Sequence, residues 1–299
     1  VNFQTIVAAV DFSEPSEGAF AQAIAWAREF GAQLRVLHCY EIPRPGLGEY
    51  QVPIPDTLWE RVQRGAAERV DALVDQARAE GLEAVGEVCE GPPAEGIRLS
   101  VERLGADLVV LGTHGHRGIE RILLGSVAER TVRTAPCNVL IARAEGREAQ
   151  PRATPGRILV ASDFSEHSAR AVSAAKGLAQ RFHARLHLVH AFGLPVVTTS
   201  PYDVVLTGAI LDEARARARR SLEEAAQELS AAGVDVEVHL AHTPAAEAIT
   251  EHARELAADL IVMGTHGHTG LKHTLLGSVA ERTLRTAPCS VLTVKTAPR

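Results

Sequence analysis

The strongest constraint on this chain is that it is written twice. Residues 107–142 and 259–294 match at 25 of 36 positions without a gap, and the same offset of 152 carries Asp11 onto Asp163 and His38 onto His190. A period that long is a whole domain, well beyond the roughly 20–50 residues of solenoid repeats. The 299 residues also suit two domains on length alone. We expect a first domain over 1–145, a linker over 146–156 marked by Pro151 and Pro155, and a second domain over 157–299.

Within each copy, short apolar runs alternate with amphipathic stretches. In the first half, strands are expected at 5–10, 34–39, 84–89, 107–111 and 138–142. Helices are expected from Ser13-Glu-Pro15 to about residue 30, then at 57–80, 94–104 and 126–133, and the Pro- and Gly-rich residues 41–55 as a loop. The second half repeats this, with strands at 157–162, 185–191, 234–240, 260–263 and 291–294 and helices at 168–181, 211–232, 245–257 and 279–285. Strands that alternate with helices imply βαβ units, hence a parallel sheet covered on both faces with right-handed crossovers. The runs Leu108-Val-Val-Leu111 and Leu260-Ile-Val-Met263 are apolar throughout, as strands buried on both faces are.

Both runs drive straight into glycine. Gly112-Thr-His-Gly-His-Arg-Gly118 continues to Leu123-Leu-Gly-Ser-Val127, and the copy reads Gly264-Thr-His-Gly-His-Thr-Gly270 and Leu275-Leu-Gly-Ser-Val279. The spacing Gly-x2-Gly-x9-Gly-Ser thus lies between a strand and a helix start. Glycine lets a backbone approach a ligand closely, and the first N–H groups of a helix attract anions. Gly112, Gly115, Gly125 and Ser126, with Gly264, Gly267, Gly277 and Ser278, therefore read as a phosphate cradle present twice. Turns need glycine as well, and the serines are also candidate helix caps. Asp11 and Asp163 end the first strands. If the strand order is 3-2-1-4-5, strands one and four adjoin at the switch point and each Asp shares a crevice with its glycine loop. There it can accept from a ribose hydroxyl, join a cation's shell or cap the next helix.

Other chemistries fit less well. A net charge of −6 without a Lys/Arg run argues against a surface that tracks nucleic-acid phosphates. Neither a P-loop nor a Gly-x-Gly-x-x-Gly fingerprint occurs. His114-x-His116 and His266-x-His268 lack a nearby Cys, Asp or Glu to complete a ligand set, so phosphate or backbone hydrogen bonding suits them better and no dedicated metal site is expected. Arg117, Arg121, Lys272 and His273 are phosphate partners or solvated loop charges. His38 and His190, at the ends of second strands, read as hydrogen-bonded, and Cys137 and Cys289 as inert packing. Four cysteines without Cys-x-x-Cys spacing, with no signal peptide or long apolar span, point to a reducing cytoplasm and no membrane. Aromatics are only 4% of the chain, so a bound ring would be gripped by aliphatic side chains. No Ser/His/Asp order, paired-carboxylate spacing or acidic metal cluster marks a strong catalyst.

Asp11-Phe-Ser, His38, Gly112-x2-Gly115-x9-Gly125-Ser126 and Ala-Pro-Cys-x-Val-Leu, repeated as Asp163-Phe-Ser, His190, Gly264-x2-Gly267-x9-Gly277-Ser278 and the same Ala-Pro-Cys-x-Val-Leu, resemble the universal stress protein domain in its ATP-binding branch. The resemblance implies two tandem flavodoxin-like domains of the adenine nucleotide alpha hydrolase-like kind, each a five-stranded parallel sheet of order 3-2-1-4-5 with helices on both faces. It places Asp11 and Asp163 at the ribose. Cys39 and Ala191 fall beside the adenine, where this branch commonly carries Val. The glycines and serines fall at the phosphates, often with Mg2+, and His114, Val127, His266 and Val279 complete the candidate set. Family members dimerise through their last strands, which implies an internal pseudo-dimer and a homodimer of chains.

The expected function is nucleotide-dependent regulation of an unidentified protein partner under stress, with at most slow ATP hydrolysis. Two alternatives from other classes are a nucleotidyl- or phosphotransferase, with His114 or His266 as base, and an interaction module that binds no nucleotide.

Overall fold

The computed structural model describes residues 1–41, 46–47, 50–51, 56–113, 124–143, 154–192, 208–265 and 276–295. The chain divides into two compact units, with the division between Thr154 and Pro155. The first unit runs β1 (Thr5–Ala9), α1 (Glu14–Phe30), β2 (Gln33–Tyr40), β3 (Gly46–Leu47), β4 (Tyr50–Gln51), α2 (Asp56–Ala79), β5 (Ala84–Glu90), α3 (Pro93–Leu104), β6 (Leu108–Gly112), α4 (Ser126–Thr134) and β7 (Asn138–Ala142). The second runs β8 (Arg157–Ala161), α5 (Glu166–Phe182), β9 (Arg185–Ala191), α6 (Gly208–Ala231), β10 (Val236–Ala241), α7 (Ala245–Glu255), β11 (Leu260–Gly264), α8 (Ser278–Thr286) and β12 (Ser290–Val294).

In the first unit the main strands lie in the order β5-β2-β1-β6-β7, and in the second β10-β9-β8-β11-β12, with parallel pairing throughout. Numbered within its own unit, each sheet is 3-2-1-4-5, the flavodoxin-like order. One element differs from expectation. Part of the span read as loop forms a two-stranded antiparallel ribbon, β3 with β4. Its ladder is only two residue pairs long, too short for a strand periodicity to show in the sequence.

The central strands are apolar on both faces because helices cover both. Leu108, Val109, Ile158, Leu159, Val160, Leu260, Ile261 and Val262 are wholly buried. Each such side chain contributes about 1.5–3 kcal/mol relative to exposure. An aromatic cluster adds to the first core, with Phe3 set edge-on to Phe30 at 4.9 Å and stacked on Trp26 at 6.0 Å. One acidic device recurs where the first strand of each unit begins. Asp107 Oδ2 accepts the Gln4 and Thr5 N–H groups at 2.7 and 3.0 Å, and Asp259 Oδ2 accepts those of Gly156 and Arg157 at 2.8 Å each. Among the described residues, no helix is long and apolar enough to cross a membrane.

The helix ends divide the two units. Gly31 (φ 64°) and Gly105 (φ 60°) take the left-handed position after α1 and α3, where the missing Cβ removes the steric cost. At the same offset the second unit has His183 (φ 52°) and Ala257 (φ 44°). Those side chains carry the strain that glycine avoids.

Candidate functional site

A parallel sheet of this order opens a crevice at the carboxyl ends of its first and fourth strands, because the crossovers leave there in opposite directions. In the first unit that crevice is lined by Asp11, Cys39, Gly112, Gly125, Ser126 and Val127. In the second it is lined by Asp163, Ala191, Gly264, Gly277, Ser278 and Val279. Every sequence-derived candidate within the described residues thus reaches one cleft per unit. His114, Gly115, His266 and Gly267 lie outside the described residues, as do Arg117, Arg121, Lys272 and His273. The clefts enclose about 440 and about 280 Å3, the low end of the roughly 300–1,000 Å3 typical of small-molecule sites.

Each Asp is placed by the turn that follows it. The next residue, Phe12 (φ 62°) or Phe164 (φ 61°), is left-handed, a conformation that costs a non-glycine residue of order 1 kcal/mol or more. The turn leaves the carboxylate lining the cleft and lays the ring against the histidine at the end of the neighbouring strand. Ring centres lie 4.4 Å apart for Phe12 and His38 and 4.5 Å apart for Phe164 and His190. Those histidines bind backbone, with His38 Nδ1 at 2.8 Å from the Val10 carbonyl oxygen and His190 Nδ1 at 2.7 Å from that of Ser162. A carbonyl only accepts, so both Nδ1 atoms carry the proton. Asp11 Oδ1 accepts the Ser13 N–H (3.1 Å) and Asp163 Oδ1 accepts the Ser165 N–H (3.0 Å). The caps of α1 and α5 are thus Ser13 and Ser165, not the aspartates, which instead close a turn onto the cap residue while lining the cleft.

The glycines separate into roles. A Cβ on Gly112 would sit 2.8 Å from the Pro15 carbonyl oxygen, so that glycine is required by the close approach of α1 to the end of β6. Gly125 and Gly277 hold the cap positions of α4 and α8, without any side-chain cap bond. Ser126 and Ser278, expected as caps, are instead the first helical residues. With no capping side chain in place, the first-turn N–H groups at Ser126, Val127 and Ala128, and at Ser278, Val279 and Ala280, have no intrahelical acceptor and lie in the cleft lining. They form an electropositive edge suited to an anion. The acid of each first turn is held along its own helix, Glu129 by Arg133 at 2.9 Å and Glu281 by Arg285 at 2.8 Å. Backbone bonds pin the neck of each loop, with Gly125 N–H donating to the Thr113 carbonyl at 2.8 Å and Gly277 N–H to the Thr265 carbonyl at 2.9 Å.

The walls opposite are aliphatic, with Val10, Leu37 and Ile97 in one cleft and Val189, Ile249 and Met263 in the other. Several polar lining residues escaped the sequence reading, among them Ser16, Ser168, Thr113, Thr265 and Glu41. Thr113 and Thr265 were legible in the repeated Gly-Thr-His-Gly, whereas Glu41 has no repeated signal. Cys39, expected as a thiol beside the ring, is joined to Cys89 in a disulfide. The two stand opposite each other in the register of β2 and β5, with Cα atoms 4.6 Å apart. Gly96 on α3 leaves them room, since a Cβ there would meet both sulfurs at 2.5 and 2.6 Å.

Residues 2–143 and 155–295 each match the pattern of the Universal stress protein family. Universal stress protein YxiE of Bacillus subtilis is 36% identical over 149 residues, spanning 46% of this chain and 98% of its own. A universal stress protein of Thermus aquaticus is 35% identical over 147 residues, 47% of this chain and 99% of its own. Among solved structures, a universal stress protein from Archaeoglobus fulgidus aligns over 97% of this chain and 96% of its own, with a TM-score of 0.71 at 22% identity. A Pseudomonas aeruginosa protein aligns over 99% and 94%, with a TM-score of 0.70 at 21% identity. At those identities the likeness is one of fold.

Proposed function

The chain belongs to the universal stress protein family, as two such domains in tandem, and from that premise we propose that each unit binds an adenine nucleotide, ATP with Mg2+, as a regulatory signal in the stress response. The observation that carries this reading is the meeting, in each cleft, of a strand-end aspartate with an uncapped helix start and aliphatic walls. Those three surfaces match the three chemistries of a nucleotide, which are ribose hydroxyls, anionic phosphates and an apolar ring. The N–H groups of α4 and α8 would hold the phosphates, Asp11 and Asp163 the ribose or the cation's water shell, and the aliphatic walls the base. Turnover is expected to be slow. Among the described residues lining the second cleft, Asp163 is the only acid and no histidine is present to serve as base.

Titration calorimetry with Mg·ATP tests the proposal. Two sites per chain are expected, and Asp11→Ala or Asp163→Ala should each weaken one of them at least about tenfold while sparing the other. Saturation to a hundred times Kd should add about 2.7 kcal/mol of stability to the unit that binds. No heat with Mg·ATP, together with an unmoved melting midpoint, overturns the reading.

A further inference from the structure

The second unit carries a cluster that its nucleotide cleft does not use. His187 is the third residue of β9, and Glu237 and His239 are the second and fourth of β10. Parallel register sets Glu237 directly opposite His187 and His239 opposite Val189. Alternation along a strand therefore turns all three side chains to one face of the sheet. Val189 and Ala191 of that face line the cleft. His187 lies four residues before Ala191, roughly 13 Å back along the strand, so the cluster is a separate locus.

Its donor atoms converge. His187 Nδ1 is 3.1 Å from His239 Nε2 and 3.7 Å from Glu237 Oε2, and the three donors lie within 4.8 Å of one another. A tetrahedral Zn2+ with bonds of about 2.0–2.1 Å holds its ligands roughly 3.3 Å apart. The two separations from His187 Nδ1, 3.1 and 3.7 Å, already stand near that spacing. We propose that His187, His239 and Glu237 form a binding site for a transition-metal dication, Zn2+ foremost. Two imidazoles with one carboxylate favour such ions over Mg2+ or Ca2+, which prefer oxygen ligands.

Burial supports the geometry. His187 is 3% exposed, and its other ring nitrogen, Nε2, has no hydrogen-bond partner among the described residues. Burial holds both imidazoles below the ordinary histidine pKa, with the charge of His239 adding to the effect on His187. One of the two facing nitrogens carries the proton of their 3.1 Å contact, and that proton must move to the ring's other nitrogen when a dication enters. Glu237 is half-exposed and opens the site to solvent. Without metal, Arg185 Nη2 pairs with that same Oε2 at 3.2 Å, and an incoming dication must displace it. The first unit provides the internal control. Arg35, Val85 and Glu87 stand at the equivalent positions, with Arg35 donating to Gln33 and Glu87 accepting from Ser100 and Arg103. Among the described residues, one such cluster is present.

The test titrates the full chain with ZnCl2 by calorimetry and with CoCl2 by visible absorption, in wild type, His239→Gln, Glu237→Gln and a His116→Ala/His268→Ala pair. Wild type and the His116/His268 pair should share one equivalent of Zn2+ that His239→Gln lacks, and Glu237→Gln should bind that equivalent at least about tenfold more weakly. Zn2+ should raise the melting midpoint of wild type and leave that of His239→Gln unchanged. Mg·ATP binding should be equal in wild type, His239→Gln and Glu237→Gln, which separates failure here from failure of the nucleotide reading. The Glu237 change is on a half-exposed side chain and keeps the test sound if His239→Gln proves unstable. Identical Zn2+ isotherms and Co2+ spectra in wild type, His239→Gln and Glu237→Gln would overturn the site.

Discussion

The two units share a backbone plan and a cleft, yet they differ in matched groups of residues rather than at scattered points. Cys39, Cys89 and Gly96 of the first correspond at the fixed offset to Ala191, Ala241 and Ala248 of the second. The exchange is compensated. Two small side chains in the second unit replace a bridge, and a methyl on α7 fills the space that Gly96 leaves for two sulfurs. Arg35, Val85, Glu87 and Ser100 likewise correspond to His187, Glu237, His239 and His252. The lesson is that a duplicated domain keeps its cleft-facing strand tips and diverges elsewhere in groups of neighbouring residues.

The comparison breaks or sharpens most strongly at the cysteines. Closing a loop of about 50 residues is worth about 4 kcal/mol on the chain-entropy account. Cys39→Ala/Cys89→Ala should lower the first unit's stability by that order under oxidising conditions, and reductant should reproduce the loss in wild type only. Chemical denaturation followed by tryptophan fluorescence, which reports the first unit because Trp26 and Trp59 both lie in it, reads this directly. A first-unit transition indifferent to reductant would break the comparison. The reverse transplant, Ala191→Cys/Ala241→Cys with Ala248→Gly, should build a bridge in the second unit. The same cysteines without the glycine should form it poorly.

Smaller effects are expected at the helix ends. His183→Gly and Ala257→Gly remove left-handed strain and should each stabilise the second unit by about 1 kcal/mol, while Gly31→Ala and Gly105→Ala cost the first unit a similar amount. A thermal scan that finds the four changes equal in sign would refute the strain account.

The smallest and most specific effect is a pH slope confined to the second unit. Burial holds the folded pKa values of His187 and His239 below the ordinary histidine value, so the unfolded chain binds protons first as pH falls. Stability contributed by the neutral rings is complete above about pH 6.5, and declines from there down through the depressed native values. The neighbours that set the slope are Glu237, Arg185, Arg157, His252 and Glu255. With chelator present, His239→Gln should flatten the second unit's midpoint between pH 7 and 5 relative to wild type. Parallel curves would count against the pair.

Much of the fold was legible because repetition and apolar runs reinforce each other. Leu108-Val-Val-Leu111 reads as a doubly covered strand, and the offset transfers that assignment to Leu260-Ile-Val-Met263. The same filter hid what the halves do not share. His190 drew notice because His38 repeats it, whereas His187 and His239, 52 positions apart, pass as isolated histidines until register sets them side by side. Cys39 and Cys89 are equally remote in sequence and adjacent only across β2 and β5. The cleft residues were legible as types, but Gly125 and Ser126 exchanged roles because a cap and a first helical residue differ by one position in backbone angle rather than in composition.

The bond from Gly125 to Thr113 carries a wider consequence. It brings the end of β6 and the start of α4 together at one 2.8 Å contact, so the two ends of the intervening segment are fixed by the domain itself. Doubling the length of such a closed segment costs only about 0.6 kcal/mol. A change in the length of that segment therefore costs the domain little, while the sheet and the start of α4 stay as they are.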